Sequence, residues 1–207
     1  MSLINRETTV RWMELFAAQM DEHRQELVRL DTAIGDGDHG TNMNRGMQKA
    51  LEKLQAADQA DPGAVLKTVA MALISSVGGA AGPLYGTLFL QLGTALAGQP
   101  EIDLPAYAAA WRNSVDGVQS RGKAQAGDKT MVDALLPAVA ALEQAPDLNT
   151  GLRAAADAAQ QGMLATIPLV ARKGRASYLG ERSAGHQDPG STSTYYLFES
   201  AAEAFTS

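Results

Sequence analysis

Large side chains return every third or fourth residue along most of this chain, and that period decides what it can fold into. Near the start, Trp12, Phe16, Met20, His23, Leu27 and Leu30 fall on one face of a helix. Alternation with a period of two, which a half-buried strand requires, is scarce. The same reading places a second helix from Thr41 or Asn42 through Met47, Leu51 and Leu54. Asp61 and Pro62 give an N-cap and a first-turn proline for a third. A fourth runs from Leu84 to about Ala97 with Gly98 as its stop. Asp103 caps a fifth. A sixth begins around residues 130–132, with Pro137 as a kink or an early-turn residue. Asn149 or Thr150 caps a seventh, and the last spans about Ser191 to Ala204. The expected fold is all-α. Short connections make sequence neighbours antiparallel, so residues 1–207 are expected as one domain, an up-and-down eight-helix bundle or barrel.

Charge narrows the partners. A formal net charge of −6, with 17 scattered basic residues, argues against a nucleic-acid partner, which needs clustered Lys and Arg. The chain contains no cysteine, which removes disulfides, thiol chemistry and thiolate-bound zinc. The first residues, MSLINRETTVRW, lack the basic and apolar regions of a secretory signal, so a cytoplasmic protein is expected. From Thr68 to Pro100 no residue is charged, yet Gly78, Gly79, Gly82, Pro83, Gly86 and Gly93, with recurring Ser, Thr and Gln, interrupt the stretch. It reads as two buried helices around a glycine-rich turn, and no membrane span is expected.

The segment DTAIGDGDHGTNMNRG, residues 31–46, spells G-x-G-x-x-G at Gly35, Gly37 and Gly40. A dinucleotide loop of that type follows a strand, whereas HRQELVRLDTAI before it reads as helix. It also carries Asp31, Asp36 and Asp38, which would repel a bare diphosphate. Hard cations resolve the conflict. Three carboxylates and a nucleoside diphosphate sum to about −6, and two Mg²⁺ bring this to about −2. An EF-hand fails because its twelfth position, counted from Asp36, is Met47. The alternative is plain turn chemistry, with Asp38 capping the next helix.

Other stretches invite the same question. GKAQAGDKT, residues 122–130, nearly spells a P-loop, but Asp128 intervenes and no strand precedes it. An interhelical turn capped by Asp128 or Thr130 is the plainer reading. GGAAGPLYG, residues 78–86, exposes backbone ahead of a helix, which suits an oxyanion or a flat base. ARKGRASYLGERSAGHQDPGSTS, residues 171–193, is a long connection bearing Arg172, Lys173, Arg175 and Arg182. It is either a phosphate-facing loop or a solvated one. His39 could contact a nucleotide, His23 reads as packing, and no nucleophile elbow supports a Ser-His-Asp hydrolase.

Taken together, DTAIGDGDHGTNMNRG, SSVGGAAGPLYGT, SRGKAQAGDKTMVDAL and ARKGRASYLGERSAGHQDPGSTS resemble the nucleotide-binding L subunits of bacterial, phosphoenolpyruvate-dependent dihydroxyacetone kinases. The resemblance covers the whole chain with its motifs in order. It implies an antiparallel eight-helix barrel holding ADP at one end through two Mg²⁺ bound by Asp31, Asp36 and Asp38. It also implies ADP contacts at His39, Thr41, Asn42, Ala80, Ala81, Gly122, Met131, Arg175, Asp188 and Gly190. The three aspartates and Arg175 would form the catalytic set. One departure stands out: the family commonly has GGASG where this chain has GGAAG, so Ala81 replaces a serine hydroxyl. The implied activity passes a phosphoryl group from a phosphohistidine carrier, the M subunit of the sugar phosphotransferase system, to dihydroxyacetone. In that family ADP stays bound, and the sugar sits on a separate K subunit whose domain this chain is too short to contain. A kinase using free ATP on dihydroxyacetone or a related ketose or polyol, and an ADP-sensing regulatory module, are the rival expectations. A homodimer is left open.

Overall fold

The helical period is realised as a closed ring of helices with an aromatic interior. The computed structural model describes residues 4–206. In chain order the elements are β1 (Ile4–Asn5), α1 (Arg6–Glu22), α2 (Arg24–Ile34), α3 (His39–Ala56), α4 (Pro62–Ser76) and α5 (Ala81–Ala95). There follow β2 (Glu101–Ile102), α6 (Leu104–Gly122), α7 (Val132–Gln144), α8 (Leu148–Ala165), a 3₁₀ segment (Arg175–Ser183) and α9 (Pro189–Thr206). The two short strands pair antiparallel and tie the start of α1 to the α5–α6 connection.

From α3 onward each helix packs on the next, and α9 returns to α1, which also packs on α3, so the ring closes. Close contacts fix the directions. A Cβ at Gly63, in the first turn of α4, would lie 2.6 Å from Ala97 just past α5, whereas one at Gly86, early in α5, would lie 2.3 Å from Ile74 late in α4. Trp12 meets Phe205, and Gln19 further along α1 donates to Glu199 earlier in α9, so that pair is antiparallel as well. Inside the ring Trp12 stands 5.5 Å from Phe205 and 6.1 Å from both Phe89 and Trp111 (ring centroids), and Trp111 stacks on Phe198 at 4.5 Å. Burial of these rings, together with the Leu, Val, Met and Ala side chains packed around them, drives closure of the ring. No helix among the described residues is long and apolar enough to cross a membrane.

The all-α architecture is as expected, but the described residues form nine α-helices where the sequence suggested eight. The long first helix is two, broken at His23, whose ring stacks on Tyr196 of α9 at 4.3 Å. No Gly or Pro marks the break; tertiary packing imposes it. Several helices begin earlier than the apolar pattern does. α3 starts at His39 and α5 at Ala81, where Pro83 is tolerated in a first turn whose N–H groups lack intrahelical partners anyway. α8 is capped by Asp147, which accepts the N–H of Thr150 at 2.9 Å. α9 starts at Pro189, behind Asp188. Pro137 sits inside α7, and the Asp133 carbonyl that its missing N–H would have met faces Gly162 of α8.

Candidate functional site

An antiparallel ring sends every second helix start to the same rim. The starts of α3, α5, α7 and α9 line one cleft of about 400 Å³, together with the last turn of α2, the α4–α5 turn, the end of α6 and the 173–176 loop. Helix N-termini present N–H groups and a partial positive charge, so this rim favours anions. In three of those helices, α3, α5 and α7, the N-cap residue makes no side-chain bond; Asp31 accepts the first N–H of α3 and Thr130 that of α7, which leaves the start of α5 bare.

Within the cleft, the glycine loop that mimics a dinucleotide fingerprint does a different job. It follows α2, a helix, so the strand a dinucleotide fold needs is absent there. A Cβ at Gly35 would sit 2.1 Å from a carboxylate oxygen of Asp31, so only glycine leaves room for that side chain; Gly37 takes φ +75°. Oδ2 of Asp31 accepts the backbone N–H of Asp38 at 2.8 Å and of His39 at 3.1 Å. Asp31, Asp36 and Asp38 each bring one carboxylate oxygen into a group lying within 4.8 Å of one another. Asp38 occupies the N-cap position of α3 without making a side-chain cap bond, which leaves its carboxylate available. Three hard oxygen donors on one tight turn suit Mg²⁺ or Ca²⁺. Across from them, Nε of Arg175 meets Asp36 at 2.8 Å.

Of the residues singled out in sequence, Asp31, Asp36, Asp38, His39, Ala80, Ala81, Gly122, Met131, Arg175, Asp188 and Gly190 all line this cleft. Thr41 and Asn42 do not. Thr41 is exposed on α3, and Asn42 is buried behind Gly78, accepting an N–H from Arg45 at 2.7 Å. Of the four basic residues in the long loop, Lys173 and Arg175 reach the cleft, whereas Arg172 and Arg182 point to solvent.

Behind the acidic turn lies a buried polar layer that sequence reasoning missed. His39 Nε2 pairs with Ser193 Oγ at 2.9 Å, and Tyr85 hydroxyl bridges Ser193 at 2.7 Å and Thr194 at 3.1 Å. Burial lowers the His39 pKa to about 4, against a smaller upward pull from Asp31, so its ring is neutral at pH 7. Ser193 is fully buried, so the His39–Ser193 pair cannot act as a hydrolytic dyad. Asp188 caps α9 by accepting the Ser191 N–H at 2.6 Å. Burial raises its pKa to about 7; the Ser191 bond opposes this, and Asp133 adds to it. The available signal was GSTST at residues 190–194: hydroxyl residues are weak helix formers, and a run of them heading a helix suggests side chains needed for bonding.

Loop 122–131 is ordered by its own acids. Asp133 accepts the N–H groups of Gly127 and Thr130, and Asp128 accepts that of Gln125. α6, a helix, precedes this loop, which excludes a P-loop.

Comparison with known proteins agrees with this geometry. The model of the DAK2 domain family matches residues 33–203. The chain is 44% identical over 205 residues to the ADP-binding subunit DhaL of the PEP-dependent dihydroxyacetone kinase of Escherichia coli (strain K12), covering 97% of this chain and 98% of that one. It is 42% identical to the ADP-binding subunit DhaL of the PTS-dependent dihydroxyacetone kinase of Lactococcus lactis subsp. lactis (strain IL1403), covering 95% and 96%. Among solved structures it superposes on the dihydroxyacetone kinase of C. freundii, with a TM-score of 0.75 for the native form and 0.71 for the complex with AMP-PNP and Mg²⁺, at 27% identity. The match covers 94% of this chain but only 34% of the native C. freundii chain.

Proposed function

The chain belongs to the DAK2 domain family, and from that premise we propose that it is the ADP-binding phosphotransferase subunit of a phosphoenolpyruvate-dependent dihydroxyacetone kinase, residues 1–207 forming one L-type domain. When bound, ADP with two Mg²⁺ supplies a diphosphate end able to relay a phosphoryl group from a carrier's phosphohistidine to dihydroxyacetone on a separate K subunit. The observation that carries this reading is the facing of opposites across one cleft. An acidic turn lies on one wall, and the uncapped start of α5 with Arg175 lies on the others.

Asp31, Asp36 and Asp38 would hold the metal. Asp31, already engaged by two backbone N–H groups, is the fixed member, and the more exposed Asp36 and Asp38 the adjustable ones. The N–H groups at the start of α5 would take phosphate oxygens, and Leu84, Val118, Met131 and Val132 give an apolar wall suited to a base. Arg175 can leave Asp36 for a phosphoryl oxygen at little cost, because an exposed ion pair contributes little. Catalysis in this arrangement is positioning and charge neutralisation, with no side chain forming a covalent bond. Such a role belongs in the cytoplasm, with the phosphoenolpyruvate that feeds the carrier.

The test combines the purified chain with a dihydroxyacetone-binding K subunit and compares phosphorylated carrier with ATP as donor. Dihydroxyacetone phosphate should form with the carrier, and ADP should stay on the chain through gel filtration. Transfer from ATP with rapid nucleotide exchange would instead make it an ordinary ATP-dependent kinase subunit. Nucleotide-dependent partner binding without any transfer would make it a sensor. Asp36→Ala should lower turnover by about 10²–10³-fold or more while leaving the helical circular-dichroism signal intact; unchanged turnover would refute the assignment of the acidic turn.

A further inference from the structure

Lys129, in the stretch that nearly spells a P-loop, borders the cleft but has no part in the chemistry above, and it is 1% exposed. Its backbone takes φ +63°, a left-handed conformation that lysine rarely adopts. Its ammonium donates to the carbonyls of Thr166 at 2.7 Å and Ile167 at 3.4 Å, and closely to that of His186. Those acceptors stand at the two ends of the segment that carries Arg175. The neck of the same segment is bonded again from Gly185 N–H to the Ile167 carbonyl at 2.8 Å and from Asp188 N–H to Thr166 Oγ1 at 3.1 Å. Asp128, next to Lys129, accepts the N–H of Arg172 through its carbonyl at 3.1 Å. A buried ammonium is costly unless its protons are all bonded. Here the three protons meet three carbonyls, and Asp188 and Asp133 favour the charge that burial opposes.

We propose that Lys129 is a positioning residue: it closes the neck of the 166–186 loop and so holds Arg175 over Asp36, without touching nucleotide itself. The loop is a compact excursion whose ends are kept together by a cation from another element, and Arg175 sits at the start of its 3₁₀ segment. The consequence for transfer rests on the function proposed above; the consequence for loop order does not.

Lys129→Met keeps length and backbone demand while removing the three donors. Limited trypsin digestion of the intact protein should cut at Arg172, Lys173, Arg175 or Arg182 at least about tenfold faster in the variant, with the helical circular-dichroism signal retained. With K subunit and phosphorylated carrier present, transfer should slow by a factor close to that of Arg175→Ala. The double variant should be no slower than Arg175→Ala alone, a non-additivity that a general loss of stability would not produce. Lys129→Arg, which keeps the charge and the donors, should recover most of both signals. Should Lys129→Met fail to fold, Lys129→Gln, with two uncharged donors, takes its place with an intermediate effect. Unchanged trypsin cutting, or transfer defects that multiply in the double variant, would overturn the proposal. If no variant or wild-type chain transfers phosphate, the proposed function falls, while the digestion still decides whether Lys129 pins the loop.

Discussion

The two ends of the helical ring finish their helices in opposite ways. Away from the cleft, α1, α4, α6 and α8 are each capped by a side chain, Asn5, Asp61, Asp103 and Asp147 respectively, which accepts an N–H of the first turn. At the cleft, the N-cap residues of α3, α5 and α7 make no such bond; Asp31 of α2 accepts the first N–H of α3 and Thr130 that of α7, so among these three α5 alone starts bare. A cap stabilises its helix by about 1 kcal/mol, so the bare start of α5 forgoes stability that the opposite end collects. What it retains is a set of N–H groups and partial charges free to meet an oxyanion. The far end is finished for folding; at the near end the start of α5 is left for a ligand to complete.

The sharpest way to break this contrast is to put a charge where a cap is missing. Ala80→Asp places a carboxylate at the start of α5, where the diphosphate is proposed to sit. Like charges at contact distance in a partly desolvated cleft cost several kcal/mol, so affinity for ADP with Mg²⁺ should fall by about 10²-fold or more. Stability without nucleotide should hold or rise slightly, because an acid at a helix start is favourable. Isothermal titration calorimetry and thermal melts measure the two; an unaltered affinity would remove the α5 start from the site.

α9 is the exception at the cleft, and it sharpens the rule. Its cap, Asp188, is buried, with a pKa raised to about 7, whereas at the far end the exposed Asp147 has its pKa lowered by bonds from Thr150. The cleft-end cap is therefore only partly charged near neutral pH, where a phosphate would come near. The sign follows from proton uptake. In the folded chain Asp188 keeps its proton up to about pH 7, but in the unfolded chain it loses it near 4, so between those values the folded state binds more protons. Stability from this group is complete below about pH 4 and falls as pH rises towards 7, by up to about 1.4 kcal/mol per unit. Asp188→Asn keeps the acceptor for Ser191 and should flatten that decline in denaturant titrations at pH 4.5 to 7.5. A wild-type slope preserved in the variant would mean the carboxyl is charged throughout.

The far end was more legible in the sequence than the near one. Asp61–Pro62 and Asp103 announce their helices because a cap and a first-turn proline are local signals, and the ring's aromatic interior follows from the 3.6-residue period. The identical Asp–Pro pair at residues 188–189 heads α9 and went unread beneath the polar run that follows it. At the cleft, the acidic turn could be read from its charge, since three carboxylates beside a diphosphate demand cations. Lys129, Tyr85 and Ser193 could not be. Their partners lie far away in sequence, 108 residues apart for Tyr85 and Ser193, and only the closed ring brings them together. The break at His23 was hidden for the same reason.

A smaller effect is expected where a cap is removed from the finished end. Asp61 accepts the N–H of Ala64 at 2.8 Å and that of Gly98 at 2.9 Å, so it ties the start of α4 to the end of α5. Asp61→Ala should lower unfolding free energy by about 1–2 kcal/mol and leave nucleotide affinity and transfer unchanged. Loss of affinity here would mean that the two ends are coupled through the α4–α5 pair and that the division of labour is false.

The smallest expected effect probes Ala81, which stands where the resemblance has serine. Ala81 opens α5 and lines the cleft, so a hydroxyl there would face whatever the bare N–H groups bind. One added hydrogen bond to a phosphate oxygen contributes about 0.5–1.5 kcal/mol net, so Ala81→Ser should tighten ADP by about two- to tenfold. Unfolding free energy should move by less than about 0.5 kcal/mol, since the position is partly exposed and Ser fits the first turn. Competition binding between wild type and variant at fixed Mg²⁺ resolves a difference of that size. An identical affinity would mean that backbone N–H groups alone satisfy the phosphate at this helix start, which is the strongest form of the contrast between the capped end and the bare one.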